Sequence, residues 1–135
     1  MADILLTHSY FLRFDPKEYR AMMPYAPLGT LYAASMLRQG GFSVALHDVM
    51  LAASESSILA PLDNHQPKIL VLYDDQFNYL TKMCLTRMRE AAFTTTRLAK
   101  ERNCTVVIFS SDATDHLEEY FAAFVSCRSR RRTVR

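Results

Sequence analysis

At 135 residues, with 50% hydrophobic and 22% charged side chains, the chain is long enough for one domain with a real core and too apolar for disorder. No apolar run reaches the ~18 residues that a membrane span needs, and Asp3 stands where a secretory signal would carry basic charge, so a cytoplasmic location is expected. The net charge of +2 is a property of the tail: Arg128, Arg130, Arg131, Arg132 and Arg135 fall in the last eight residues, without interleaved aromatic side chains or a second basic patch, which argues against a nucleic-acid partner.

Taken in order, the first apolar run of strand length covers residues 3–7. Residues 9–26 form a long connection that carries Phe11, Phe14, Tyr19, Met22, Met23 and Tyr25, more apolar than a solvated loop should be. Pro27, with a preset φ and no amide hydrogen to lose, suits a first helical turn, and Gly40-Gly41 offers the left-handed residue that ends the helix. A second strand is expected over 42–46, running into His47-Asp48, followed by a weakly helical stretch over 51–59 that Pro61 stops. The third strand, 68–73, is continuously apolar, as strands buried on both faces are, and ends at Asp74-Asp75.

Residues 79–102 turn helical, with Leu85, Met88, Ala91, Ala92, Thr95, Leu98 and Ala99 on one stripe. A fourth strand, 104–109, ends in Ser110 to His116, and a short helix is expected to begin near Leu117. Strands alternating with helices give a parallel α/β sheet, and the single hand of its crossovers puts every strand end at one edge, where ligands of open sheets bind. Cys84, Cys104 and Cys127, odd in number and widely spaced, fit neither a disulfide framework nor a compact metal knuckle.

The strand ends are therefore the segments to weigh for chemistry. Asp48 occupies the position of a ribose-binding acid, but the glycine fingerprint after the first strand is missing and the chain holds only three glycines, so an ordinary dinucleotide site is set aside. Asp74-Asp75 would suit a phosphoacceptor, yet Thr7-His8 replaces the acids that a receiver domain uses to hold magnesium. His8, His47, His65 and His116 are too scattered for a metal set on spacing alone, although His8 and His116 could both lie at the ligand edge. No nucleophile elbow and no Cys-His pairing is legible, so a binding surface without catalytic machinery is expected. Ser110, Ser111 and Thr114 offer hydroxyls that could hold an amide, a ribose or a phosphate, or could simply cap the next helix. The aromatic and methionine-rich connection would fold over a large flat apolar ligand.

The N-terminal Ile-Leu-Leu strand, the aromatic loop, Tyr25-Ala26-Pro27-Leu28-Gly29 opening a helix, Arg38-Gln39-Gly40-Gly41-Phe42-Ser43-Val44 leading to Asp48, and a strand ending in Ser110 to His116 together resemble a known family. It is the N-terminal cobalamin-binding domain of cobalamin-dependent radical S-adenosylmethionine proteins, and the resemblance spans residues 3–123. It implies a flavodoxin-like fold with helices on both faces of a mostly parallel sheet, and a corrin ring lying across the C-terminal strand ends with its nucleotide tail beside the sheet. Carried to this chain, Tyr25, Pro27 and Leu28 would border the corrin, Ser110, Ser111, Asp112 and Thr114 would line the tail pocket, and Thr7, His8 and Asp75 join the cofactor-binding set.

The Asp-x-His-x-x-Gly signature that supplies a lower cobalt ligand is absent: Asp15 is followed by Pro16 and Lys17, and His8 lacks the flanking residues. That departure favours the radical family over cobalamin mutases and methyltransferases. The iron-sulfur cluster and S-adenosylmethionine belong to a downstream radical domain, and the cysteines here cannot supply its Cys-x-x-x-Cys-x-x-Cys motif. The chain alone should then be non-catalytic, with that domain as its partner. After residue 123 the family continues into a fifth strand, whereas 124–135 reads as a basic, disordered tail, so a fragment lacking the fifth strand is expected. The alternative is a flavodoxin-like module for another small ligand or a protein partner.

Overall fold

Four apolar runs form one all-parallel sheet in the computed structural model, which describes residues 1–74 and 85–129. The strands are β1 (Ile4–Thr7), β2 (Val44–Leu46), β3 (Ile69–Tyr73) and β4 (Thr105–Phe109), in the order β2-β1-β3-β4. Leu5 pairs with Ala45 on one side and Leu70 on the other, and Val71 pairs with Val107, so β1 and β3 are central while β2 and β4 are edges. This is the parallel α/β sheet expected from the alternation of elements, in the flavodoxin-like arrangement that the resemblance implies.

The helices are α1 (Pro16–Ala21), α2 (Leu28–Gln39), α3 (Leu59–His65), α4 (Leu85–Glu101), α5 (Ser111–Asp115) and α6 (Leu117–Ser129). Because side chains alternate along a strand, the sheet feeds two cores. Leu5 and Leu70 pack with Ile58, Leu62, Ala99 and Cys104 under α3 and α4, while Ile4 and Leu6 pack with Ala34 of α2 on the opposite face. Leu5, Leu6, Leu70 and Leu72 are all 0% exposed. Each contributes about 1.5–3 kcal/mol by leaving water. On α4, Met88, Ala91, Ala92, Thr95 and Ala99 are buried, the stripe its periodicity predicts. Among the described residues no helix is long and apolar enough to cross a membrane.

Three local readings change. The second strand begins at Val44, because Gly41 (φ 90), not Gly40, takes the left-handed turn, with Phe42 N–H on Leu37 O and Gly41 N–H on Arg38 O closing the helix end. Pro61 does not stop a helix; it sits in the first turn of α3, where its missing N–H has no intrahelical acceptor to lose, and the residues before it form a 3-10 turn, Glu55–Ile58. The chain after β4 is helical at once, since Ser110 caps α5, and α6 runs through Ser129, so the change toward the arginine-rich sequence begins inside a helix. Residues 75–84 and 130–135, with Asp75, Cys84 and the last arginines, lie outside the described residues.

Candidate functional site

Over β1 and β2 the strand ends are closed by the chain's own loop. Tyr10, Phe11 and Leu12 are each 1% exposed, packed on Met50 and Met88 or on Val49 and Ala91. A 3-10 turn, Leu12–Phe14, and the short α1, capped by Asp15 through Glu18 N–H, give the connection its shape. The apolar connection thus folds inward over the sheet edge, and of its large hydrophobic side chains only Tyr19, Met22 and Met23 are exposed.

Beneath that loop, every polar strand-end group is engaged. Thr7 Oγ1 donates to the His47 carbonyl at 2.8 Å. His8 Nδ1 accepts Tyr10 N–H at 3.3 Å, which leaves the proton on Nε2 to be donated to Asp48 Oδ1 at 2.7 Å. Burial works against the Asp48 charge, but the hydrogen bonds from His8 and the Met50 amide more than offset it and hold its carboxyl below the usual range. His47 is pushed down by burial and then by His8 beside it, and its Nε2 meets Ser57 Oγ at 3.2 Å.

Asp74, at the end of β3, accepts Ser9 N–H at 2.6 Å and Ser9 Oγ–H at 2.7 Å. Its complete burial raises the carboxyl above the normal range in spite of both bonds. The acid that resembles a phosphoacceptor in sequence is a clamp on the loop. Tyr25 leans on the Tyr10 ring, 5.8 Å between centroids, and burial, with Asp15 nearby, pushes its phenol up to about 12.

Over β4 the strand end is open. Ile108, Phe109, Ser110, Ser111, Thr114 and Leu117 line a groove of about 370 Å³. Its floor is aromatic: Phe109 is 52% exposed and stacks on Tyr73 at 4.9 Å and 19°. The first turn of α2 reaches the neighbouring end of β3, because Thr30 Oγ1 donates to the Tyr73 carbonyl at 3.3 Å, and Leu28 in the same turn is exposed.

Ser110, Ser111 and Thr114 therefore share one groove, with Leu28 on the nearby turn and Pro27 buried as its anchor. Ser110 is also a helix cap, its Oγ accepting Ala113 N–H at 2.9 Å. Thr7 and His8 are brought to the same edge of the sheet but lie under the loop, and Tyr25, half-buried, is part of that loop and packs on Tyr10. Asp112 turns inward, bound by Arg89 through two contacts of 2.8 Å and by the Tyr120 hydroxyl at 2.9 Å. Burial opposes its charge, and the Arg89 and Tyr120 bonds outweigh that and keep the carboxyl below its ordinary range. Asp75 is outside the described residues.

Sequence reasoning missed Phe109, Tyr73 and Thr30. The alternation Thr105, Val107, Phe109 would have marked an exposed face only if β4 had been known to be an edge. Among the described residues no three His, Cys, Asp or Glu side chains converge to hold a metal. His116 does reach the β4 side, where its Nδ1 meets Glu119 at 3.2 Å.

No family model, curated protein or solved structure matches the chain. The functional reading rests on the fold and on this contrast between a closed and an open strand end.

Proposed function

We propose that the chain is a cobalamin-binding module of a radical S-adenosylmethionine enzyme, holding the corrin at the C-terminal strand edge and not catalytic by itself. The observation that carries this reading is the groove over β4, where an aromatic floor and hydroxyl groups meet at the edge that open parallel sheets use for ligands. The residues fit such a cofactor in chemistry. Ser111 and Thr114 offer hydroxyls to the polar amide and nucleotide parts, while Phe109 and Leu117 offer apolar surface to the macrocycle. His8 has both ring nitrogens engaged, so it is not the lower cobalt ligand.

When bound, the cofactor would supply the organocobalt chemistry; this chain's residues bind it, orient it and shield one side from water. The cluster and S-adenosylmethionine would reside in a separate radical domain, the partner of this module.

Incubation of the folded full chain with hydroxocobalamin, followed by gel filtration, should give corrin absorbance co-eluting with protein. Thr114→Trp, which fills the groove from an exposed helical position, should abolish co-elution while the far-UV spectrum is unchanged. A colourless, folded peak for the unmodified chain overturns the assignment, and equal loading of Thr114→Trp removes the groove from it.

A further inference from the structure

The opposite edge of the sheet carries a second groove, of about 510 Å³, between α2 and β2. Leu31, Ala34 and Ser35 of α2 form one wall, Val44 and Leu46 the other, and Arg38 stands at one end. We propose that this groove takes an extended peptide segment of a partner protein, added antiparallel to β2 with an apolar side chain between the walls and a carboxylate at its C-terminal end on Arg38.

Backbone chemistry supplies the first reason. β2 meets β1 through Ser43 O, which accepts from Ile4 N–H at 3.1 Å, and through His47 N–H, which donates to Leu6 O at 2.9 Å. Alternate residues address alternate sides of a strand, so the amides and carbonyls of Val44 and Leu46 point away from the sheet. Edge strands are ordinarily blunted by shortness, charge or proline; β2 is short, three residues, but Val44-Ala45-Leu46 carries neither charge nor proline to turn a partner strand away. An edge strand beside a helix is a ready site for strand addition, in which main-chain bonds give affinity and alternate side chains give selectivity.

Charge supplies the second. Arg38 is exposed in the last turn of α2 and, like Arg13, Arg20 and Arg97 but unlike Arg87, Arg89 and Arg102, has no carboxylate within ion-pairing distance among the described residues; of the four it is the one that lines this groove. Because α2 returns antiparallel to β1 before feeding β2, Arg38 lies at the start of β2. The C-terminal end of a strand running antiparallel to β2 arrives there. Outside the groove, Tyr32 and Met36 are 71% and 68% exposed, which continues the apolar surface for a folded partner.

The test uses fluorescein-labelled Ser-Thr-Val-Thr-Val with a free C-terminus, its C-terminal amide, and a version N-methylated at alternate residues, titrated against the full chain by fluorescence anisotropy. The free acid should bind saturably, about tenfold more tightly than the amide, the effect of one charge-assisted contact. Arg38→Gln should lower the affinity for the acid about tenfold and leave the amide unchanged, and N-methylation should remove binding. Backbone amide shifts on titration should concentrate at 31–39 and 44–46. Equal binding of acid and amide, indifference to N-methylation, or no saturable binding by a chain with a native far-UV spectrum each overturn the proposal. A dimer in sedimentation equilibrium that Ser35→Arg dissolves would assign the groove to a second copy and overturn it as well.

Discussion

One sheet edge shows two treatments of the same problem. At the ends of β1 and β2, Tyr10, Phe11 and Leu12 fill the space and every polar strand-end group finds an internal partner; at the end of β4, hydroxyls and a half-exposed aromatic ring face a groove. The difference lies in the segment after each strand. An apolar loop after β1 can bury itself and has to, whereas the polar run after β4 caps a helix immediately and leaves the strand end bare. A pocket at the point where strand order reverses, between β1 and β3, is thus occupied by protein, and binding capacity shifts toward β4.

Substitution of the two phenylalanines is the strongest way to break this contrast. Phe11, fully buried with its ring 4.7 Å from that of Phe14, should cost about 3–5 kcal/mol of unfolding free energy when changed to Ala, read from urea denaturation. Phe109→Ala removes a half-exposed ring that stacks on Tyr73, and should cost no more than about 1.5 kcal/mol while weakening corrin retention severalfold. Equal destabilisation by the two would mean that the β4 end is as closed as the β1 end.

Next in size is the ion pair beneath the groove. Arg89 and Asp112 are 11% and 7% exposed, and Asp112→Ala leaves the guanidinium with only half-exposed Glu119 at 3.1 Å and the Tyr120 hydroxyl without its acceptor, so it should cost about 2 kcal/mol. The loss has a structural meaning. It would place Asp112 in the framework that supports α5 and α6, in contrast to its neighbours Ser111 and Thr114, whose replacement by Ala should leave stability nearly unchanged.

The strands were legible because continuous apolar runs such as Ile69-Leu70-Val71-Leu72 admit few other readings, and the helix end at Gly41 because only glycine takes its φ of 90 without strain. The roles at the strand ends were much less so. Asp74 and Asp112 both follow strands and look alike in sequence, yet their partners, Ser9 and Arg89, lie 65 and 23 residues away, a pairing that no local pattern encodes. Phe11 and Phe14 read as ligand contacts in sequence because an aromatic loop over a sheet edge can close on a ligand or on itself, and burial decides between the two.

Those two acids give the subtlest test, through pH. Asp112 has its folded pKa lowered by Arg89 and Tyr120 in spite of burial, so it stabilises the fold at neutral pH, and this contribution is lost as pH falls through the folded value. Asp74 has its folded pKa raised by burial, so its contribution is present at low pH, below the unfolded value, and is lost as pH rises through the folded one. The slopes oppose each other. Asp74→Asn can still accept from the Ser9 amide and donate to the Ser9 hydroxyl, so it should keep the clamp and make stability rise more steeply from acid to neutral pH, in urea titrations at a series of pH values. Asp112→Asn should flatten the same curve. If both variants moved it in one direction, the closed and open strand ends would share one electrostatic environment, and the division of the sheet edge into a self-filled half and a ligand half would fail.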